Sequence, residues 1–142
     1  MSLTLSPSQE DYLETIFQIA DSKDVVRVRD IAAGKNVSMP SVTGALKRLA
    51  RQGLVSYSRY DYVRLTPRGK RLAGRLSDRH ALLKRFLTDI LRVDDRTADS
   101  DACTIEHYVS PTTIKALLRF FQFLDGRPDG GRRLLHAFRN AG

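Results

Sequence analysis

Tryptophan is absent from the 142 residues, and there is one cysteine. A lone thiol excludes a disulfide framework within one chain and fits a reducing compartment. No apolar run approaches the length a membrane-spanning helix needs. The opening segment, Met1 to Pro7, has no basic stretch followed by an apolar one, so no secretory signal is expected. No Gly-rich phosphate loop of the GxxxxGK type occurs. Acidic residues are few, 16 Asp and Glu against 24 Lys and Arg, for a net charge of +8. Hydrophobic residues still reach 42%, enough to bury a core and to exclude wholesale disorder. The length allows one domain or two small ones. What remains is a basic, soluble, cytoplasmic chain with no membrane partner.

The positive charge is concentrated. From Arg27 to Arg79 there are thirteen Lys or Arg and only three Asp, a local excess of ten. The residues before Arg27 are net acidic, and those from His80 onward are close to balanced. A basic segment inside a folded chain is the electrostatic footprint of a polyanion-binding surface. The competing explanation is a solvated, Arg-rich helix face.

Caps and periodicity predict a mainly α chain. Ser6-Pro7 opens a helix to about Asp21, with Leu13, Ile16, Phe17 and Ala20 as its apolar stripe. A second helix spans Val28 to Lys35. A third is capped by Ser38, carries Pro40 in its tolerated first turn, buries Val42, Ala45, Leu46 and Leu49, and stops at Gly53. Leu54–Tyr57 and Tyr62–Leu65 read as two strands of a hairpin around Ser58 to Asp61. Thr66-Pro67 starts a long helix to about Leu91. Helices from Asp95 to Val109 and from Pro111 to about Asp125 follow. A Gly-rich linker then leads to a last helix, Arg132 to Asn140.

Three helices followed by a hairpin is the order of a winged helix-turn-helix, whose third helix enters the major groove. The outward positions of that helix are Ser38, Pro40, Ser41, Thr43, Gly44, Lys47, Arg48 and Arg51. Hydroxyls there can meet base edges or phosphates, and Lys47 and Arg51, four apart, share a face suited to phosphates. Arg27 joins this set, and Arg59 and Tyr60 at the hairpin tip reach the neighbouring backbone or minor groove. The expected partner is double-stranded DNA.

A second constellation is unrelated to DNA. Asp11 and Glu14 project from one face of the first helix. Cys103, Glu106 and His107 fall at i, i+3 and i+4 on the fifth, and His80 stands in the fourth. Carboxylate, imidazole and thiolate on facing helices are the materials of a divalent-metal site in a helical bundle. Each alone has a bland alternative: a surface histidine, or a cysteine acting as a small hydrophobe. A hydrolase built on Cys103 and His107 lacks a third orienting group and an oxyanion loop, so no enzyme is expected. A metal-independent winged-helix regulator sensing a small ligand is the nearest alternative function.

The segments Ser6-Pro7-Ser8-Gln9-Glu10-Asp11-Tyr12-Leu13-Glu14, Val28-Arg29-Asp30-Ile31-Ala32, Ser41-Val42-Thr43, Leu65-Thr66-Pro67-Arg68-Gly69, Arg79-His80-Ala81-Leu82-Leu83 and Glu106-His107-Tyr108-Val109-Ser110 carry a resemblance. In this order the chain resembles the diphtheria toxin repressor family, most of all its shorter two-domain branch typified by the manganese transport regulator. The resemblance covers residues 6 to 125. It implies a winged helix-turn-helix DNA-binding domain over residues 1–70, and an all-helical dimerisation and metal-binding domain over 71–142. It implies a homodimer that binds operator DNA when loaded with Fe(II) or Mn(II), one or two ions per chain, with no small organic substrate. It assigns Asp11, Glu14, His80, Glu106 and His107 to the metal site. Asp11 matches the manganese-responsive type, whereas Cys103 matches the iron-responsive type. Hard carboxylate favours Mn(II), and thiolate favours Fe(II) and later metals. Longer members carry a third, SH3-like domain, of which no counterpart is expected here.

Overall fold

The computed structural model describes residues 4–58 and 62–142. It divides into two compact units, Met1–Asp78 and Arg79–Gly142, with the division inside one helix.

The first unit opens with α1 (Pro7–Ser22). The Gln9 N–H donates to Ser6 Oγ at 3.2 Å and the Ser6 N–H donates to Gln9 Oε1 at 3.0 Å, so the first turn is capped reciprocally. Next comes α2 (Val28–Lys35), which ends on Asn36 in the left-handed conformation, φ 53°. Asn is among the few residues other than Gly that reach this conformation readily, which makes the turn into α3 short. In α3 (Met39–Arg51), Ser38 accepts from the Ser41 N–H, and Val42, Ala45, Leu46 and Leu49 are buried. Two short strands follow, β1 (Val55–Ser56) and β2 (Arg64–Leu65), antiparallel with Val55 opposite Leu65. Val26, ahead of α2, adds a bridge to Val63 that the sequence pattern had not indicated. The strands are shorter than expected, and the hairpin tip with Arg59 and Tyr60 lies outside the described residues.

One core runs through this unit. Leu13 and Ile16 of α1, Ile31 of α2, Val42, Leu46 and Leu49 of α3, and Leu54 are fully buried together. Each such side chain contributes about 1.5–3 kcal/mol, so the helices hold one another rather than standing on propensity. The helix α4 (Pro67–Arg85) is pinned at its start. The Thr66 hydroxyl donates to the Gly53 carbonyl at 2.7 Å and accepts from the Gly69 N–H at 3.0 Å. Gly69 lies so close to the chain that a Cβ there would stand 2.0 Å from the Leu54 carbonyl oxygen.

In the second unit, α4 passes into a π-helical turn, Phe86–Ile90, rather than continuing as one α-helix to Leu91. There follow α5 (Asp95–Ile105), α6 (Pro111–Asp125) and α7 (Arg132–Arg139). Asp94 and Ser110 cap α5 and α6 through the Thr97 and Thr113 N–H groups. The expected fifth helix reached Val109, but α5 ends at Ile105. The Arg79 guanidinium donates to the carbonyls of Glu106 and Val109, holding that segment as a turn. Ile90, Phe121 and Leu124 form a small core with Phe86, Leu117, Phe120 and Leu135 against it. Arg85 clamps α6: it holds both oxygens of Asp125, at 2.6 and 3.1 Å, and its guanidinium lies 4.1 Å from the centroid of the Phe121 ring. Tyr108, Leu118, Phe123 and Phe138 remain exposed. Among the described residues no helix is long and apolar enough to cross a membrane.

Candidate metal centre and nucleic-acid interface

In the first unit, α1 places Asp11 and Glu14 one turn apart but in different surroundings. Asp11 is half-buried and accepts from the Lys35 ammonium at Oδ2. Glu14 is only 4% exposed. Its Oε1 has no hydrogen-bond partner among the described residues. A buried carboxylate oxygen without a donor costs free energy unless a cation or proton meets it.

The expected DNA-reading residues lie on or beside α3. Ser38, Pro40, Ser41, Lys47, Arg48 and Arg51 are exposed, and Thr43 and Gly44 are half-buried. The Ser38 and Ser41 hydroxyls are 2.8 Å apart, and the Thr43 hydroxyl donates back to the Met39 carbonyl at 3.1 Å. Each oxygen keeps acceptor capacity for an outside donor. Arg27 is exposed and its guanidinium lies 5.4 Å from the centroid of the Tyr62 ring. Met39, 52% exposed in the first turn of α3, was not among the expected outward residues.

In the second unit the structure brings His80, Glu106 and His107 together. Glu106 is fully buried, just past the end of α5. His80 Nδ1 stands 2.9 Å from Glu106 Oε2, and His107 Nε2 stands 3.5 Å from Glu106 Oε1. His80 Nε2 faces Asp99 Oδ1 at 3.0 Å. A metal-ligating imidazole commonly donates its other N–H to a carboxylate, which fixes the ring. His80 has a carboxylate at each nitrogen. The hydrogen bond from His80, with Lys84 beside it, holds the Asp99 carboxyl below the usual carboxylate range. Lys84 Nζ bridges Asp99 and Asp95 at 3.3 and 3.1 Å.

Cys103 is exposed, one turn before the fully buried Glu106, so the two do not share one environment. Asp99 and Arg79 were missed by sequence reasoning. Asp99 could have been found, because it precedes Glu106 by seven residues and so returns to the same helix face. Arg79 could not, because its partners are backbone carbonyls, which every residue has.

Known proteins resemble the chain over most of its length. The family described as "Iron dependent repressor, N-terminal DNA binding domain" matches residues 4–63, and "Iron dependent repressor, metal binding and dimerisation domain" matches 66–135. An HTH-type transcriptional regulator MntR from Lysinibacillus sphaericus is 35% identical over 129 residues, covering 91% of this chain and 92% of the relative. One of the same name from Listeria welshimeri is 37% identical over 124 residues, 87% of each. Among solved structures, the metal-dependent transcriptional regulator MtsR superposes with a TM-score of 0.76 at 28% identity. That match covers 85% of this chain but 56% of the longer MtsR chain.

Proposed function

The chain belongs to the iron-dependent repressor family, and from that premise we propose how its residues work. It is a metal-dependent transcriptional repressor that, as a homodimer loaded with Fe(II) or Mn(II), binds operator DNA and controls metal-ion balance. It is a regulator and not an enzyme. It acts in the cytoplasm, where operator DNA is accessible.

The proposed ligands are Asp11 and Glu14 from the first unit, and His80, Cys103, Glu106 and His107 from the second, for one or two ions per chain. The donor set suits a divalent cation. Glu14 presents a buried oxygen with no donor among the described residues, and Glu106 is a fully buried carboxylate between two imidazoles. When bound, a divalent ion supplies the positive charge that offsets these carboxylates. Arg79 and Asp99 position the ligands, Arg79 by fixing the turn that carries Glu106 and Asp99 by orienting His80. Ligands drawn from both units couple metal binding to DNA reading. Operator half-sites lie about 34 Å apart, so two reading heads must be set before they bind together. Lys47, Arg48 and Arg51 hold phosphates, while Ser41 and Thr43 face base edges. The apolar residues left exposed on the second unit suit a homodimer interface.

The observation that carries the metal assignment is Glu106, fully buried with His80 and His107 on its two oxygens. The test is fluorescence anisotropy of the full chain on a duplex selected from a random pool by the Mn(II)-loaded protein. Tight binding with Mn(II) or Fe(II) that disappears with a chelator is expected. Equal affinity with and without chelator would overturn the reading.

A further inference from the structure

Lys35 is the last residue of α2, yet its side chain is only 12% exposed. Lysine is almost never buried without a partner. Here the ammonium donates to Asp11 Oδ2 and sits 4.5 Å from the centroid of the Tyr12 ring, itself 6% exposed. A carboxylate on one side and an aromatic face on the other make a seat for a cation. The occupant is a residue of the chain itself. The seat adjoins the turn at Asn36 that leads into α3.

An ammonium hydrogen-bonded to a carboxylate oxygen and a divalent ion on the same carboxylate repel each other at close range. Asp11 therefore serves one cation fully or the other. We propose that Lys35 is a tethered competitor for Asp11 and so sets the chain's affinity for divalent metal. This rests on the reading of Asp11 as a ligand. Metal binding through Asp11 breaks the Lys35 pair and releases the ammonium toward solvent, and the cost of that release is subtracted from every such binding event. Lys35 thereby fixes the metal concentration at which the repressor loads.

The test uses the full chain with Lys35→Met, which keeps the apolar stem along Tyr12 and removes the charge, and Lys35→Gln as a second variant. Mn(II) affinity is measured by competition with a chromophoric chelator, and folding by circular dichroism. Both variants should bind Mn(II) up to about fivefold more tightly than the parent, the scale of one partly exposed ion pair. In an Asp11→Asn background the same changes should have no effect on affinity. Unchanged or weaker binding by folded Lys35→Met would overturn the proposal, as would an equal gain in the Asp11→Asn background. Asp11→Asn alone separates the two levels. If it weakens Mn(II) binding while Lys35→Met changes nothing, only the role of Lys35 fails. If it binds Mn(II) as the parent does, Asp11 is not a ligand and the proposal fails with that reading.

Discussion

Glu14→Met changes stability in opposite directions with and without metal. In α1 the side chain is 4% exposed and its Oε1 accepts no hydrogen bond among the described residues. Met has nearly the same helix propensity and a similar volume, so the helix itself is little affected. What changes is a buried polar group without a donor, whose removal is worth about 1–3 kcal/mol. For a unit of this size, each 1 kcal/mol moves the melting temperature by about 4–8 °C. With chelator present, the variant should therefore melt higher than the parent. With Mn(II) at about a thousand times its Kd, the parent gains about 4.1 kcal/mol from binding. The variant, lacking a ligand, should gain far less, so the order of stabilities reverses. Circular dichroism melts of both proteins, with chelator and with excess Mn(II), decide the matter. A variant that melts lower in chelator would show that Glu14 is not an unsatisfied group, and one with the parent's full Mn(II) shift would show that it is not a ligand.

Lys47→Ala should weaken binding to all duplexes about equally and flatten the salt dependence of log K by about one unit, measured by anisotropy across a salt series. A selective loss of operator preference with an unchanged slope would count against a phosphate role. Gly69→Ala should destabilise the chain by about 1–3 kcal/mol or more in urea unfolding, because the new methyl meets the Leu54 carbonyl. Gly74→Ala, where a Cβ meets nothing within 4 Å, should instead stabilise by up to about 1 kcal/mol. If Cys103 ligates, the Co(II)-loaded parent shows a thiolate charge-transfer band that Cys103→Ser lacks, and Cys103→Glu shifts preference toward Mn(II). Identical spectra would remove Cys103 from the ligand set.

Helix starts were the most legible part of the sequence. Ser6-Pro7, Ser38 with Pro40, and Ser110-Pro111 each combine a side-chain acceptor with a ring that fits the first turn, and α1, α3 and α6 begin there. Ends set by tertiary contacts were not legible. The pattern runs on past Ile105, but Arg79 captures the carbonyls of Glu106 and Val109 and the helix stops. The π turn at Phe86–Ile90 is likewise silent in a periodic apolar pattern. At the site, residue types and spacing pointed to His80, Glu106 and His107, which the second unit does gather. Burial was invisible, however. Nothing in Asp11, Glu14, Cys103 and Glu106 as letters says that Glu106 is fully enclosed while Cys103 is exposed. The pairing of Lys35 with Asp11 joins residues on two helices and leaves no local trace.

Coupling between metal and DNA is the centre of the account, and linkage makes it measurable from either side. Mn(II) is titrated anaerobically into the full chain, once alone and once with saturating selected operator duplex. The duplex should tighten Mn(II) binding by the same factor by which Mn(II) tightens duplex binding. A Mn(II) affinity that is the same with and without duplex would contradict it.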